Sequence, residues 1–439
     1  MWLRDQGEYH WARRPATKRR HTASIVLAMF AMLGAILGFQ TFLGGDKLSS
    51  PGTELISSRG KMLSTYTSEP SVVVATPLSG PAAGGRKTSK SKAPLVVAIT
   101  NLKDTGHSYG IAAGSRLSTL SSADLNTELN DIAAMGVTWL RFDIEWPNVQ
   151  PDDASQQHWS DYDRVISAAR AHNFNVLAIL DYTPGWARAS GCGSAQCPPR
   201  DPNEFAAFAS LAVHRYAPQG VHAWEIWNEP NNAQFWVPHT DPAAYTQLLR
   251  TTYSAVKAAD SSSVVISAGL APVPNDGTNM GRREFLMAMY AAGAKGSFDA
   301  VADHPYTFPR LPADNTDRAW SEMSTTANSL RATMVANGDG AKKIWITEYG
   351  APTGGPGPAA TPADSETVSG AWHVDEQLQA NILAEAVRLY KSYDWVGPFF
   401  WYANKDSGTS QSSNENFFGL IRADNSKKPA YTTYQQVIR

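Results

Sequence analysis

"HAWEIWNEPN", residues 222–231, carries two glutamates four positions apart, Glu225 and Glu229, inside an aromatic-rich run. The run is too short for a helix and too apolar for an ordinary loop, so it reads as a strand that turns polar at its C-terminal end. Seven other runs have the same form: "SYGIAAG", "VTWLRFDIEW", "FNVLAILDYTPGWA", "SVVISAGLAP", "FDAVADHPYTF", "KIWITEYGAP" and "VGPFFWYANKD". Most of them close on polar or aromatic residues: Asp143 and Glu145, Asp181, Asn228 and Glu229, His304 and Tyr306, Glu348, Trp401 and Asn404.

Amphipathic segments separate the runs, at Ala123–Ala134, Ser160–His172, Asn203–Tyr216, Pro242–Ala259, Gly281–Ala292, Trp320–Ala336 and Val374–Ser392. Ser122 and Asp241 stand where N-caps are expected. Strand followed by helix, eight times over, predicts a (β/α)8 barrel spanning residues 94–439. A doubly wound sheet is the alternative, but no Gly-rich phosphate turn follows an early strand. In a barrel of this kind chemistry belongs at the C-terminal ends of the strands, where these runs become polar.

The 439 residues are 43% hydrophobic and 18% charged, the balance of a folded globular chain. Lys plus Arg number 38 against 40 Asp plus Glu, so no basic field argues for a nucleic-acid partner. The 14 tryptophans suit sugar-stacking surfaces. Trp146, Trp186 and Trp236 are open to either role, stacking sugars or packing under loops.

Upstream of the barrel, residues 1–22 are a basic segment, with six Lys or Arg against Asp5 and Glu8, and the uncharged run 23–43 follows directly. Its 21 residues are enough to span a bilayer as a helix, with the positive flank inside and the barrel outside. A cleaved signal peptide is the competing reading, although the run exceeds an ordinary signal core of roughly 7–15 residues. Residues 44–93, rich in Ser, Thr, Gly and Pro, read as a flexible linker. Cys192 and Cys197 are the only cysteines. In an oxidising compartment they are expected to form a local disulfide, two free thiols being the alternative.

Glu229 closes the fourth run and Glu348 the seventh. Strands four and seven face one another across a barrel mouth, so these carboxylates can approach to the roughly 5–5.5 Å of a retaining glycosidase pair. One would stay protonated to serve the leaving oxygen while the other stays ionised to attack the anomeric carbon. Period-two alternation places Glu225 on the same face as Trp227 and Glu229 but deeper, as a buried partner for Arg141. Asn228 can offer its amide to the hydroxyl beside the scissile bond. Asp143, Glu145 and Asp181 read as rim or structural charges, with subsite contacts as the alternative. His304 finds no second ligand at metal-site spacing, so neither metal nor other cofactor is expected.

"WNEPN" closing one strand and "WITEYG" closing another about 120 residues later resemble the acid/base and nucleophile strands of clan A glycoside hydrolases. With "LRFDIEWPNVQP", "ILDYTPGWA", "HPYTF" and "NFFGLIRADNSKKPAY", the chain is most similar to family 39 and its cellulase-like, family 5-type relatives. That resemblance implies Glu229 as acid/base and Glu348 as nucleophile, with Arg141 steadying the nucleophile. It also implies Asn228 on the 2-hydroxyl, His304 and Tyr306 lining the catalytic subsite, and Trp401 as the sugar platform. The implied partner is an extracytoplasmic oligo- or polysaccharide and the expected assembly a monomer. A barrel that binds glycans without hydrolysing them is the alternative.

Overall fold

The computed structural model describes residues 107–313, 319–324 and 327–439. The basic segment 1–22, the apolar run 23–43 and the linker 44–93 lie outside the described residues. Among the described residues no helix is long and apolar enough to cross a membrane.

Eight strands form the barrel: β1 (Tyr109–Ala112), β2 (Trp139–Glu145), β3 (Asn175–Asp181), β4 (Ala223–Asn228), β5 (Val264–Leu270), β6 (Ala300–Asp303), β7 (Ile344–Tyr349) and β8 (Val396–Tyr402). Each lies within one of the eight runs read from the sequence. All neighbours are parallel, and β8 closes the ring by pairing with both β7 and β1.

Side-chain alternation splits every strand between two environments. Trp139, Leu177, Ala223, Val264, Ile266, Ala300, Ala302, Trp345 and Phe400 pack together inside the barrel. Their neighbours Leu140, Phe142, Val176, Ala178, Trp224, Ile226 and Val265 face the helices. Large rings are matched by small residues, since Trp139 and Trp345 meet edge-on with centroids 5.3 Å apart. Gly397 makes room for them: a Cβ there would stand 2.3 Å from the Trp345 ring.

The helices begin as the caps dictate. Asp241 accepts from the amides of Ala243 and Ala244 to start Pro242–Ala259. The other expected cap is displaced by one residue, because Ser121 accepts from Asp124 N and Ser122 is already helical. The segment expected as Trp320–Ala336 is two short helices, Ala319–Ser324 and Leu330–Ala336, the second capped by Ser329. A cap in mid-sequence starts a new helix, and the periodic pattern alone does not show it.

Candidate active site

Arg141, on β2, sits 1% exposed among three partners. Its Nε donates to Glu225 Oε2 at 2.6 Å, Nη1 to Glu348 Oε1 at 2.6 Å, and Nη2 reaches Asn228 Oδ1 at 3.4 Å. The guanidinium therefore ties β2 to β4 and β7 across the mouth. Burial works against its charge, but Glu225 and Glu348 outweigh burial and hold it firmly protonated.

The end of β4 departs from plain alternation. Trp227 has φ +74 and Glu229 φ +45, values rare for bulky residues. Trp227 turns outward, its indole packed 5.2 Å from Trp236 and 5.8 Å from Tyr182, with Nε1 donating to the Phe235 carbonyl at 2.8 Å. The expectation that Glu225, Trp227 and Glu229 share one face is thus corrected: the positive φ rotates Trp227 into the aromatic layer. The next two residues, Asn228 and Glu229, are delivered to the mouth.

Glu229 and Glu348 are 12% and 14% exposed at the side chain. His304, wholly buried just after β6, lies between them, its Nδ1 2.8 Å from Glu229 Oε1 and 3.6 Å from Glu348 Oε2. Gly269 on β5 permits this close fit, since a Cβ there would fall 2.1 Å from His304 Nε2. Tyr306 donates its hydroxyl to Glu348 Oε2 at 2.8 Å. Burial alone would raise the Glu348 carboxyl, but the charges of His304 and Arg141, helped by the Tyr306 hydroxyl, hold it below the usual carboxylate range. His304 moves the other way: burial opposes its charge, while Glu348 and Glu229 more than compensate and raise it.

One ligand atom each of Glu229, His304 and Glu348 lie within 4.8 Å of one another. Two possible ligands therefore do stand near His304, contrary to the sequence expectation, because strands distant in sequence converge here. The 2.8 Å contact of His304 with Glu229 is a direct hydrogen bond. Two ligands on one zinc ion, each about 2.0–2.1 Å from it, would stand further apart than this.

Trp401 is not a platform. It is fully buried in the layer between barrel and helices, where its ring meets Tyr349 at 6.0 Å. Alternation decides this, since Phe400 faces the lumen and the next residue must face away. Tyr402, one position on, is the half-buried aromatic on the lumen side, packed at 5.2 Å against Phe418.

Trp146 and Trp236 are buried under loops and donate or pack there, while Trp186 is half-buried with Nε1 bonded to the Gln150 carbonyl. Asp143 and Glu145 are half-buried, whereas Asp181 is fully buried. Burial, opposed by Arg141, pushes Asp143 up to about 7. Cys192 and Cys197 form the disulfide, closing a short loop after β3.

Sequence reasoning missed Glu415, in the turn Asn414–Phe417 beyond β8. Glu415 is exposed, and the charges of Glu348 and Glu229 act to raise its carboxyl above the usual carboxylate range. The turn is pinned by Lys428, whose buried Nζ donates to Asp406 Oδ1 at 2.7 Å, Thr353 Oγ1 at 2.7 Å and the Phe417 carbonyl at 3.0 Å. The nearest sequence signal was "NFFGLIRADNSKKPAY", one residue past Glu415.

Residues 104–368, more than half of the chain, match the family model described as Cellulase (glycosyl hydrolase family 5). The chain belongs to that family. That family is one of glycoside hydrolases, the class the sequence resemblance also pointed to. No curated protein matches it in sequence.

Solved structures share its fold. A family 39 glycoside hydrolase from Bacteroides cellulosilyticus WH2 is 21% identical with TM-score 0.57, covering 77% of this chain and 63% of its own. This chain thus spans less than two thirds of that enzyme. A family 39 β-xylosidase from Caulobacter crescentus is 20% identical with TM-score 0.54, over 76% and 71% of the two chains. A family 5, subfamily 18 enzyme from Streptomyces cattleya, in complex with Manβ1-4GlcNAc, is 16% identical with TM-score 0.55, over 76% and 80%.

Proposed function

We propose that this family 5 enzyme hydrolyses β-linked oligo- or polysaccharide with retention of configuration, through Glu229 and Glu348. The observation that carries the reading is that a carboxylate oxygen of each lies within 4.8 Å of the other. A retaining pair stands about 5–5.5 Å apart and an inverting pair about 6.5–9.5 Å.

Glu348, held ionised by Arg141 and Tyr306, attacks the anomeric carbon as the glycosidic C–O bond breaks. Glu229 gives its proton to the departing oxygen. Water then attacks the glycosyl-enzyme ester, losing a proton to Glu229, and the bond to Glu348 breaks. Asn228 faces the 2-hydroxyl, and Tyr402 takes the platform role first expected of Trp401. The Manβ1-4GlcNAc bound by the subfamily 18 relative and the xylosidase in family 39 suit a β-glycoside, without choosing the sugar.

The working location follows from residues 1–43: the apolar run anchors a monomeric barrel outside the cytoplasmic membrane, on the linker 44–93. Full-length protein expressed in a bacterium should stay with membranes through a salt wash. Soluble protein beginning beyond residue 43 would replace the anchor with a cleaved signal.

The mechanism is tested with Glu229→Ala and an aryl β-glycoside of low leaving-group pKa. The variant should release a burst of phenol and then stall, and azide should restore turnover, giving the β-glycosyl azide. An inverted wild-type product, followed by NMR in the first minutes, would overturn the assignment of Glu348 as nucleophile.

A further inference from the structure

Behind His304 lies a chain of polar groups that the hydrolytic steps do not use. Glu225 is fully buried on β4 and takes two bonds that run in one direction only, Arg141 Nε on Oε2 at 2.6 Å and the Gly269 amide on Oε1 at 2.9 Å. Thr347, fully buried on β7 one residue before Glu348, places Oγ1 3.1 Å from Glu225 Oε1 and 3.1 Å from His304 Nε2. A threonine hydroxyl has one proton to give. Given to Glu225, it leaves only lone pairs facing Nε2, so Nε2 must carry hydrogen. The second imidazole proton then has one place, on Nδ1, along the 2.8 Å line to Glu229 Oε1.

We propose that Thr347 and Glu225 are positioning residues that lock His304 with Nε2 protonated and so decide which oxygen of Glu229 acts as the acid. This rests on the acid/base role assigned above to Glu229. With one proton on the Glu229–His304 pair, that proton lies on the Oε1–Nδ1 line and faces away from substrate. Only a second proton, on Oε2, can pass to the leaving oxygen, while the Nδ1–H stays on Oε1 and stabilises the carboxylate that results. The acid is competent only in the doubly protonated pair. Charges facing the ring are Glu229 from the end of β4, Glu348 from β7 and Arg141 from β2, with Glu225 behind Thr347 and Asp303 preceding the ring on its own strand. None of them can supply Nε2 with a different partner.

Thr347→Val removes the acceptor but keeps the shape. The neutral ring can then carry its hydrogen on Nδ1, so a singly protonated pair can place the acid proton on Oε2, and the imidazolium is disfavoured as well. The change of tautomer extends activity upward, because one proton on the pair then suffices where two were needed. The alkaline limb of kcat/KM should rise by about one pH unit in Thr347→Val and return to the wild-type position in Thr347→Ser. An alkaline limb that does not move in Thr347→Val, with activity lowered equally at every pH, would overturn the proposal and leave Thr347 a packing residue.

Imidazole ¹H–¹⁵N spectra of the whole protein, with the His304 signals assigned by their loss in His304→Gln, give a readout that needs no turnover. His304 Nε2 should stay protonated across the pH range in wild type and in Thr347→Ser, and lose that constraint in Thr347→Val. A wild-type neutral ring protonated on Nδ1 refutes the lock even if Glu229 proves to be the acid. A protonated Nε2 beside a Glu229→Ala variant that shows no burst would instead refute the acid/base assignment, with the lock intact.

Discussion

Among the described residues two arginines, Arg141 and Arg282, are almost fully buried, and both are bonded to carboxylates. Arg282, at the start of the helix Arg282–Ala291, donates from Nη1 to both oxygens of Asp303 at 2.9 and 2.7 Å, and from Nη2 to Glu322 and the Ala319 carbonyl. Arg141 spends its bonds on Glu225, Glu348 and Asn228. The first network lies between barrel and helices and ends on Glu322, 36% exposed at its side chain, whereas the second ends on Glu348 in the barrel mouth. Their boundary runs between adjacent residues: Asp303 faces outward to Arg282, and His304 faces inward to Glu229. The same ion-pair chemistry fastens a scaffold in one place and holds the Glu348 carboxyl below its usual range in the other, and strand parity decides which.

The largest effect that separates them comes from Glu348→Ala. Turnover should fall on the order of 10⁴-fold or more for every leaving group. Stability should change little, because Arg141 keeps Glu225. A kinetic assay beside a thermal melt checks both halves, and substantial residual turnover would move Glu348 out of the open network.

Arg282→Met should do the reverse. It strands Asp303 in the interior, where a broken buried pair costs about 3–5 kcal/mol. Denaturant melts should show that loss, while kcat per folded molecule remains near wild type. A specific loss of kcat in the folded fraction would erase the distinction between the two arginines.

The smallest effect concerns Asp143, beside Arg141. Burial pushes its carboxyl up to about 7. A raised folded value means that the native state holds a proton the unfolded chain has released, so its contribution is fully present below about 4 and is lost as pH rises through 7. Asp143→Asn should therefore flatten stability between pH 4 and 7 and gain about 1 kcal/mol at pH 7, allowing for partial solvent screening. Unfolding titrations at several pH values will show whether the slopes differ.

Much of the molecule could be read before any fold was known. Eight runs that turn polar at one end fixed the number of strands and the end that holds the chemistry, because alternation and strand length are local properties of the chain. The pairing of Glu229 with Glu348 was legible from strand counting and the family resemblance, since both close strands whose C-terminal ends line one mouth.

What the sequence could not settle is which of two neighbours looks inward. Trp401 and Tyr402 are adjacent aromatics, and local pattern suits either as a platform. The choice is made by the pairing of β8 with β1 and β7, Trp401 opposite Ile111 and Tyr349, contacts with residues far away in the chain. Trp227 escaped for a related reason, because its φ of +74 turns it into an aromatic pocket assembled from Tyr182, Phe205 and Trp236, residues distant in the chain. Glu415 carries no local mark at all. Its turn is placed by a buried lysine, Lys428, which binds the Phe417 carbonyl together with Asp406 and Thr353. Sequence by itself determined the elements and the two catalytic candidates, which rest on near-neighbour periodicity. Facing, and the polar contacts among Glu229, His304 and Thr347, waited on tertiary structure, because each depends on a contact that closes only when the barrel does.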